Sequence, residues 1–143
     1  MSARAYYRLI VSLAAMPLFY TDSVTLAYAD VEAAKRWWVD VFDCKVVSVP
    51  SDWDCPLPSD VALQLPGHDA PTILLNSEAE VEQAGFDRPS SVASVIFCNK
   101  LEKGHDHLMS RGVLAGTIQD GGDTQFFEIR DTEGNVIEIC KEP

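Results

Sequence analysis

The sequence predicts an α+β fold built from one β-α-β-β-β unit that occurs twice. Three observations carry this. Short runs of β-branched and aromatic residues with period-two alternation recur along the chain. Two helical stretches, each directly after such a run, place apolar residues at helical spacing. The order of elements in residues 22–77 is then repeated in residues 91–141.

The elements can be justified in turn. Ser23 to Tyr28 alternates as a strand, and Asp30 is a natural cap for a helix to about Asp43, with Val31, Ala34, Trp38, Val41 and Phe42 on one face. Strands are expected at Lys45 to Pro50, Asp60 to Leu65 and Pro71 to Ser77, with a loop holding two prolines and Trp53 over Ser51 to Pro58. Ser77 to Ser90 has little periodicity and reads as the linker. The second unit opens with a strand at Val92 to Cys98. A helix follows from Asn99 to Arg111, where Asn99 and Glu102 have capping-box spacing and Gly112 supplies the stop. Strands at Val113 to Gln119, Gln125 to Arg130 and Asn135 to Lys141 complete it.

The last two strands form the most informative stretch. Asp131-Thr132-Glu133-Gly134-Asn135 joins them as a hairpin turn whose Gly and Asn tolerate positive φ. Glu138 stands alone between Ile137 and Ile139. A carboxylate there either points into a pocket that supplies a partner or faces solvent on an open sheet. Between the halves, a shift of 70 matches Asp30-Val31-Glu32 to Lys100-Leu101-Glu102, and a shift of 64 matches Val61-Ala62-Leu63-Gln64-Leu65 to Gln125-Phe126-Phe127-Glu128-Ile129.

Composition narrows the function classes. At 143 residues, 47% apolar and 23% charged, the chain suits one ordinary globular domain with its own core. A net charge of -11 argues against nucleic acid, which calls for clustered Lys and Arg, and allows a cationic ligand to be attracted. Cys44, Cys55, Cys98 and Cys140 show neither C-x-x-C spacing nor a disulfide pattern, which points to a reducing, cytoplasmic setting. Residues 1–20 carry Arg4 and Arg8 before an apolar run too short to span a membrane. They read as an ordered N-terminal extension to a domain over residues 21–143 rather than as a secretion signal.

Two such units ending in Asp131-x-x-Gly134-Asn135-x-Ile137-Glu138 resemble the vicinal oxygen chelate superfamily, which includes glyoxalases, bleomycin-resistance proteins and extradiol dioxygenases. Thr132 stands where that family usually has Pro. The resemblance implies a cup-shaped mixed sheet with helices on the outer face, and a homodimer. Enzymes of the family hold a divalent metal with His and Glu from the first and last strands of each unit. Here those positions fall on Ser23, on Ala93 or Ser94, on Leu74 and on Glu138, so only Glu138 can ligate and no family-type metal or other cofactor is expected. His68, in a hairpin loop, and His105 and His107, on the second helix, read as solvated surface residues.

Alternation then says what the cup presents. Glu138 brings Val136 and Cys140 inward; Thr25 and Ala27, Val95 and Phe97, Leu74 and Asn76 share that face, as do Gln64 and Glu128. The expected ligand-binding set is Glu138, Glu128, Gln64, Phe97, Thr25, Asn76 and Trp53. This suits a metal-independent protein that sequesters a cationic or amphipathic small organic molecule, with neither nucleic acid nor membrane as partner. The alternative is a metal-dependent lyase, isomerase or dioxygenase of the same superfamily with an altered site and Glu138 as ligand or general base.

Overall fold

The computed structural model describes residues 17–54, 56–86 and 94–143. Most of the expected N-terminal extension, together with Cys55 and Ala93, lies outside the described residues. In chain order the elements are β1 (Phe19–Tyr20), β2 (Val24–Tyr28), α1 (Val31–Phe42), β3 (Lys45–Val47), β4 (Val61–Gln64), β5 (Ile73–Ser77), α2 (Glu78–Ala84), β6 (Ser94–Cys98), α3 (Leu101–Ser110), β7 (Gln119–Asp120), β8 (Gln125–Arg130) and β9 (Val136–Lys141).

The two units form two mixed sheets of the same design. One has the order β2-β5-β4-β3 and the other β6-β9-β8-β7, with β1 added at the free edge of β6. In each, the first strand runs parallel to the last and the remaining pairs are antiparallel. The sheets meet where the chain leaves β6 after Tyr20, bends through Thr21, Asp22 and Ser23, and joins β5 as β2. Among the described residues no strand ladder bridges β2 and β6, so the cup consists of two abutting sheets rather than one continuous sheet.

Ladder register measures the duplication. Thr25 pairs with Leu74 and Val95 with Glu138, so Thr25 matches Val95, 70 positions on, and Leu74 matches Glu138, 64 positions on. The third strands depart from the sequence match. Ala62 pairs with Leu74 and Glu128 with Glu138, which makes Ala62, not Gln64, the counterpart of Glu128. The cause is a β4–β5 connection two residues longer than its β8–β9 equivalent: Leu63 pairs with Ile73, whereas Ile129 pairs with Ile137. A two-residue offset keeps every side chain on its expected face.

One contiguous core lies on the helix side of both sheets. It joins Leu63, Ile73 and Leu75 to Phe127, Ile137 and Ile139, and takes Ala34, Trp38, Val41 and Phe42 from α1. Helix α1 starts at Asp30, whose Oδ1 accepts from Ala33 N at 3.0 Å, and ends at Asp43 in the left-handed region (φ 56°). Its C-terminal end meets α3. His107 Nε2 lies 3.3 Å from Val41 O, and Arg111 donates to both carboxylate oxygens of Asp43 (2.9 and 3.1 Å) and to Asp40 O. Helix α3 approaches β6 so closely that a Cβ on Gly104 would stand 2.5 Å from Cys98 Sγ, which is why glycine occupies a helix interior at that point.

Three local expectations are corrected. Asn99 does not cap α3; its Nδ2 donates to Pro17 O (2.9 Å), and the cap position, Lys100, makes no side-chain cap bond. Residues 113–118 form no regular strand, although Gly116 N donates to Glu128 O at 2.9 Å, because a two-residue strand at Gln119–Asp120 is all that pairs with Phe126 and Gln125. The expected linker holds a helix, α2, which is capped by Ser77, stopped by Gly85 (φ 78°) and buries Val81.

Candidate functional site

The concave face can be built strand by strand from the registers. On the second sheet, Val95 faces Glu138 and Glu138 faces Glu128; one step along, Phe97 faces Cys140 and Cys140 faces Phe126. On the first sheet, Thr25 faces Leu74 and Leu74 faces Ala62. The duplicated positions therefore hold unlike chemistry: Ala62 and Leu74 in the first unit stand where the second has Glu128 and Glu138. The floor is apolar on one side and doubly acidic on the other.

Glu128 is exposed and Glu138 half-buried. Residues directly opposite on antiparallel strands have Cβ atoms about 4.5–5.5 Å apart, so the two carboxylates crowd one another. Among the described residues neither has a cationic side chain as partner. The Cys140 thiol donates to Glu138 Oε1 at 3.0 Å. Burial first, then the Glu138 carboxylate, push that thiol up to about 12, so it stays protonated and is not a nucleophile.

The other expected site residues fall into two groups. Thr25 and Phe97 come together across the junction of the sheets, in a cleft of about 360 Å³ that also takes Asp22, Ser23 and Ser94. Phe97 stacks on Tyr20 (centroids 5.4 Å, 26° between planes). Gln64 and Asn76 lie on the concave face but commit their amide donors internally, Gln64 to His68 O and Asn76 to Asp60 Oδ1 at 2.7 Å. Trp53 is half-buried in the β3–β4 loop, away from this cleft. Another cleft, of about 780 Å³, lies between Trp37 and Val41 of α1, the Arg111 to Gly116 segment and Glu128 to Arg130 of β8.

The donor set does not fit a family-type metal. Ser23, Leu74 and Glu138 offer one carboxylate, and among the described residues no three of His, Cys, Asp and Glu converge. The histidines are not the solvated residues that were expected. His68 is 8% exposed, with Nε2 3.1 Å from Phe19 O, and burial lowers its pKa. His105 Nε2 lies 2.9 Å from Gly116 O with its ring edge-on to Phe127, and His107 bridges α3 to α1. All three tie elements together.

The signature turn serves the opposite unit. Asp131 accepts from Glu133 N, Asn135 N and Asn135 Nδ2 at 2.8–3.0 Å, and Gly134 takes the left-handed conformation (φ 78°). The Tyr28 hydroxyl accepts from Trp38 Nε1 (3.0 Å) and bonds Asp131; burial first, with Asp131 adding to it, raises its pKa. Glu133 reaches across to accept from Ala29 N (2.8 Å) and Asp30 N (2.9 Å) at the start of α1. Sequence reasoning missed this role, and the signal available for it was an acidic residue at the tip of a turn.

No helix of the described residues is long and apolar enough to cross a membrane. The family model for the Glyoxalase/Bleomycin resistance protein/Dioxygenase superfamily matches residues 20–139. No match was found among curated proteins. Solved structures similar to this chain include a member of that superfamily from Sphaerobacter thermophilus DSM 20745 (TM-score 0.65, 18% identity, covering 86% of this chain and 97% of that one). The antibiotic binding protein TnmS3 from Streptomyces sp. CB03234 is also similar (0.61, 16%, 87% and 96%), as is the integron cassette protein VCH_CASS1 from the mobile metagenome of V. Cholerae (0.60, 20%, 87% and 95%). At these identities the likeness shows the fold alone.

Proposed function

The chain belongs to the glyoxalase, bleomycin resistance protein and dioxygenase superfamily, and from that premise we propose that it is a metal-independent cytoplasmic protein that sequesters a cationic, amphipathic organic molecule in its cup. The observation that carries this is the uncompensated pair Glu128 and Glu138, placed beside an apolar half-floor of Ala62 and Leu74. An ammonium or guanidinium group between the carboxylates relieves their repulsion and gains charge-assisted hydrogen bonds, while the hydrophobic portion of the same molecule covers the first sheet. The net charge of -11 adds long-range attraction for such a ligand. A structural neighbour whose name is that of an antibiotic binding protein supports the same class of role.

Thr25 and Glu128 are exposed on the concave face, so a second copy closing over the cup is the natural way to dehydrate the ligand; a homodimer belongs to the proposal. Isothermal titration of the purified protein against cationic glycopeptides and cationic aromatic antibiotics tests it. Saturable binding that weakens in Glu138→Gln is expected. Absence of binding by every member of the panel, or stoichiometric Fe, Mn, Ni or Zn whose retention depends on Glu138, would overturn it in favour of an empty cup or a metalloenzyme.

A further inference from the structure

Strand β8 lacks a neighbour on one side over its last residues. Its ladder with β7 is confined to Gln125 and Phe126, and beyond that Gly116 N donates to Glu128 O at 2.9 Å. Continued, this register would set Leu114 against Arg130, and among the described residues neither backbone bond of such a pair is made. Val113 N donates instead to Leu108 O (3.1 Å) at the end of α3, and Val113 is buried, so the chain is drawn back to the helix and away from the strand. The N–H and C=O of Arg130 point to the vacated side, because Asp131 N bonds Asn135 O across to β9 and successive residues of a strand bond alternately to its two sides. The cleft of about 780 Å³ lies along this gap.

An edge of unpaired backbone groups is a template for another strand. Here it is flanked by apolar surface: Val41 and Ile129 are buried, Trp37 is half-buried, and Leu114 is 87% exposed. Backbone donors and acceptors beside apolar walls match an extended main chain that carries an apolar side chain on one face. A purely hydrocarbon occupant would leave the Arg130 backbone pair unbonded. Charge narrows the partner further. The Arg111 guanidinium is matched by Asp43, and Arg130 shares one face of β8 with Glu128 two residues away, which leaves the Asp40 carboxylate as the unmatched charge at the cleft. Together with the net charge of -11 this favours a basic occupant. We propose that the open edge of β8 docks a short extended segment of a partner protein, with alternating basic and apolar residues, as the strand that residues 113–116 fail to supply. The docking is independent of whether the cup holds a ligand.

The capped peptide Lys-Val-Lys-Val, titrated into the isotopically labelled full chain at physiological salt and followed by amide NMR shifts, tests this. Saturable shifts centred on Leu114, Ala115 and Arg130 are expected, with affinity on the order of millimolar for so short a segment. Methylating the main-chain nitrogens of the peptide removes its donors and should weaken binding at least about tenfold. Asp40→Asn, a change at an exposed position, should weaken it roughly two- to fivefold with the remaining spectrum unchanged, and the acidic peptide Glu-Val-Glu-Val should bind less well than the basic one. Non-saturating shifts, or shifts centred on the cup at Thr25 and Glu138 or on the other sheet edge at Val46, would overturn the assignment. Equal binding of the methylated peptide would also overturn it, by showing a pocket for side chains or small molecules instead of a strand site, and so would indifference to both charge changes.

Discussion

Replacing Glu138 by Gln should stabilise the protein while weakening its ligand, and the two signs together are what the geometry demands. Glu138 and Glu128 are directly opposed on β9 and β8. Like charges so placed destabilise a sheet by about 0.2–1 kcal/mol, and the neutral amide removes that repulsion at nearly constant volume. The bond from Cys140 is not forfeited, because the Gln carbonyl still accepts the thiol proton. For a bound cation the sign reverses: a hydrogen bond to a charged group contributes about 1.5–3 kcal/mol, so its loss corresponds to roughly a 10- to 150-fold weaker Kd. Urea denaturation of both proteins, with the slope checked for constancy, measures the first effect, and titration with a cationic aromatic ligand measures the second. A variant less stable than the parent, or unchanged affinity for every cationic ligand that binds, would refute the placement of the two carboxylates as a cation seat.

Four further outcomes are expected. Glu133→Ala removes the acceptor for Ala29 N and Asp30 N and should cost about 1 kcal/mol, within the range for helix-start acceptors, with faster hydrogen exchange of those two amides; unchanged exchange would contradict the clamp. Gly104→Ala gains helix propensity of about 1 kcal/mol but forces a methyl to within 2.5 Å of Cys98 Sγ, so a net loss of about 1–2 kcal/mol in a thermal or urea melt is expected, and a stabilised variant would disprove the close approach. Burial lowers the His68 pKa, so the unfolded chain binds more protons below about pH 6.5. The stability that His68 contributes is present above that pH and is lost as pH falls towards its folded value; the stability difference between the parent and His68→Gln should therefore shrink from pH 8 to pH 5.5, and a pH-independent difference would count against a buried neutral His68. Burial holds the thiols of Cys44, Cys98 and Cys140 at about 12, 11 and 12, so a native-state thiol assay at pH 8 should react with at most one of the four cysteines, whereas two or more fast thiols would show the core to be open.

Much of this fold was legible because each strand and the first helix carry their own signal. The α1 stripe of Ala34, Trp38, Val41 and Phe42 is buried as its spacing predicts, and the alternation in β8 and β9 sends Phe127, Ile129, Ile137 and Ile139 to the core. The elements missed lack that kind of signal. Helix α2 buries only Val81, so no apolar stripe marks it, and its signs are a Ser cap and a Gly stop. Residues 113–118 have strand-like composition but lie where β8 offers them one backbone bond, from Gly116, instead of a ladder. Asn99 looks like a cap in one dimension and is drawn off by Pro17, a contact set by tertiary structure. In this last case local preference was overruled by a partner distant in sequence.

The site divides along the same line. Which residues face the cup follows from parity and is insensitive to a two-residue error in register, so Glu128, Glu138, Gln64, Thr25, Asn76 and Phe97 all lie on the concave face. What those residues are able to do depends on contacts that parity does not encode. Gln64 and Asn76 are acceptable ligand groups in sequence and are occupied in the fold by His68 O and Asp60. The cleft beside Thr25 and Phe97 exists because β1 pairs with β6 while β2 pairs with β5, a change of partner inside a run that alternates without interruption. The Asp131-to-Glu138 signature shows the same division. Its turn holds the start of the other unit's helix through Glu133 and Asp131, which is sufficient reason for the motif whether or not a metal is ever bound. Its one strand carboxylate then takes its chemistry from its neighbours: Glu138 stands opposite Glu128 instead of beside a histidine, and it is this pairing that the proposed function assigns to the cationic group of a ligand.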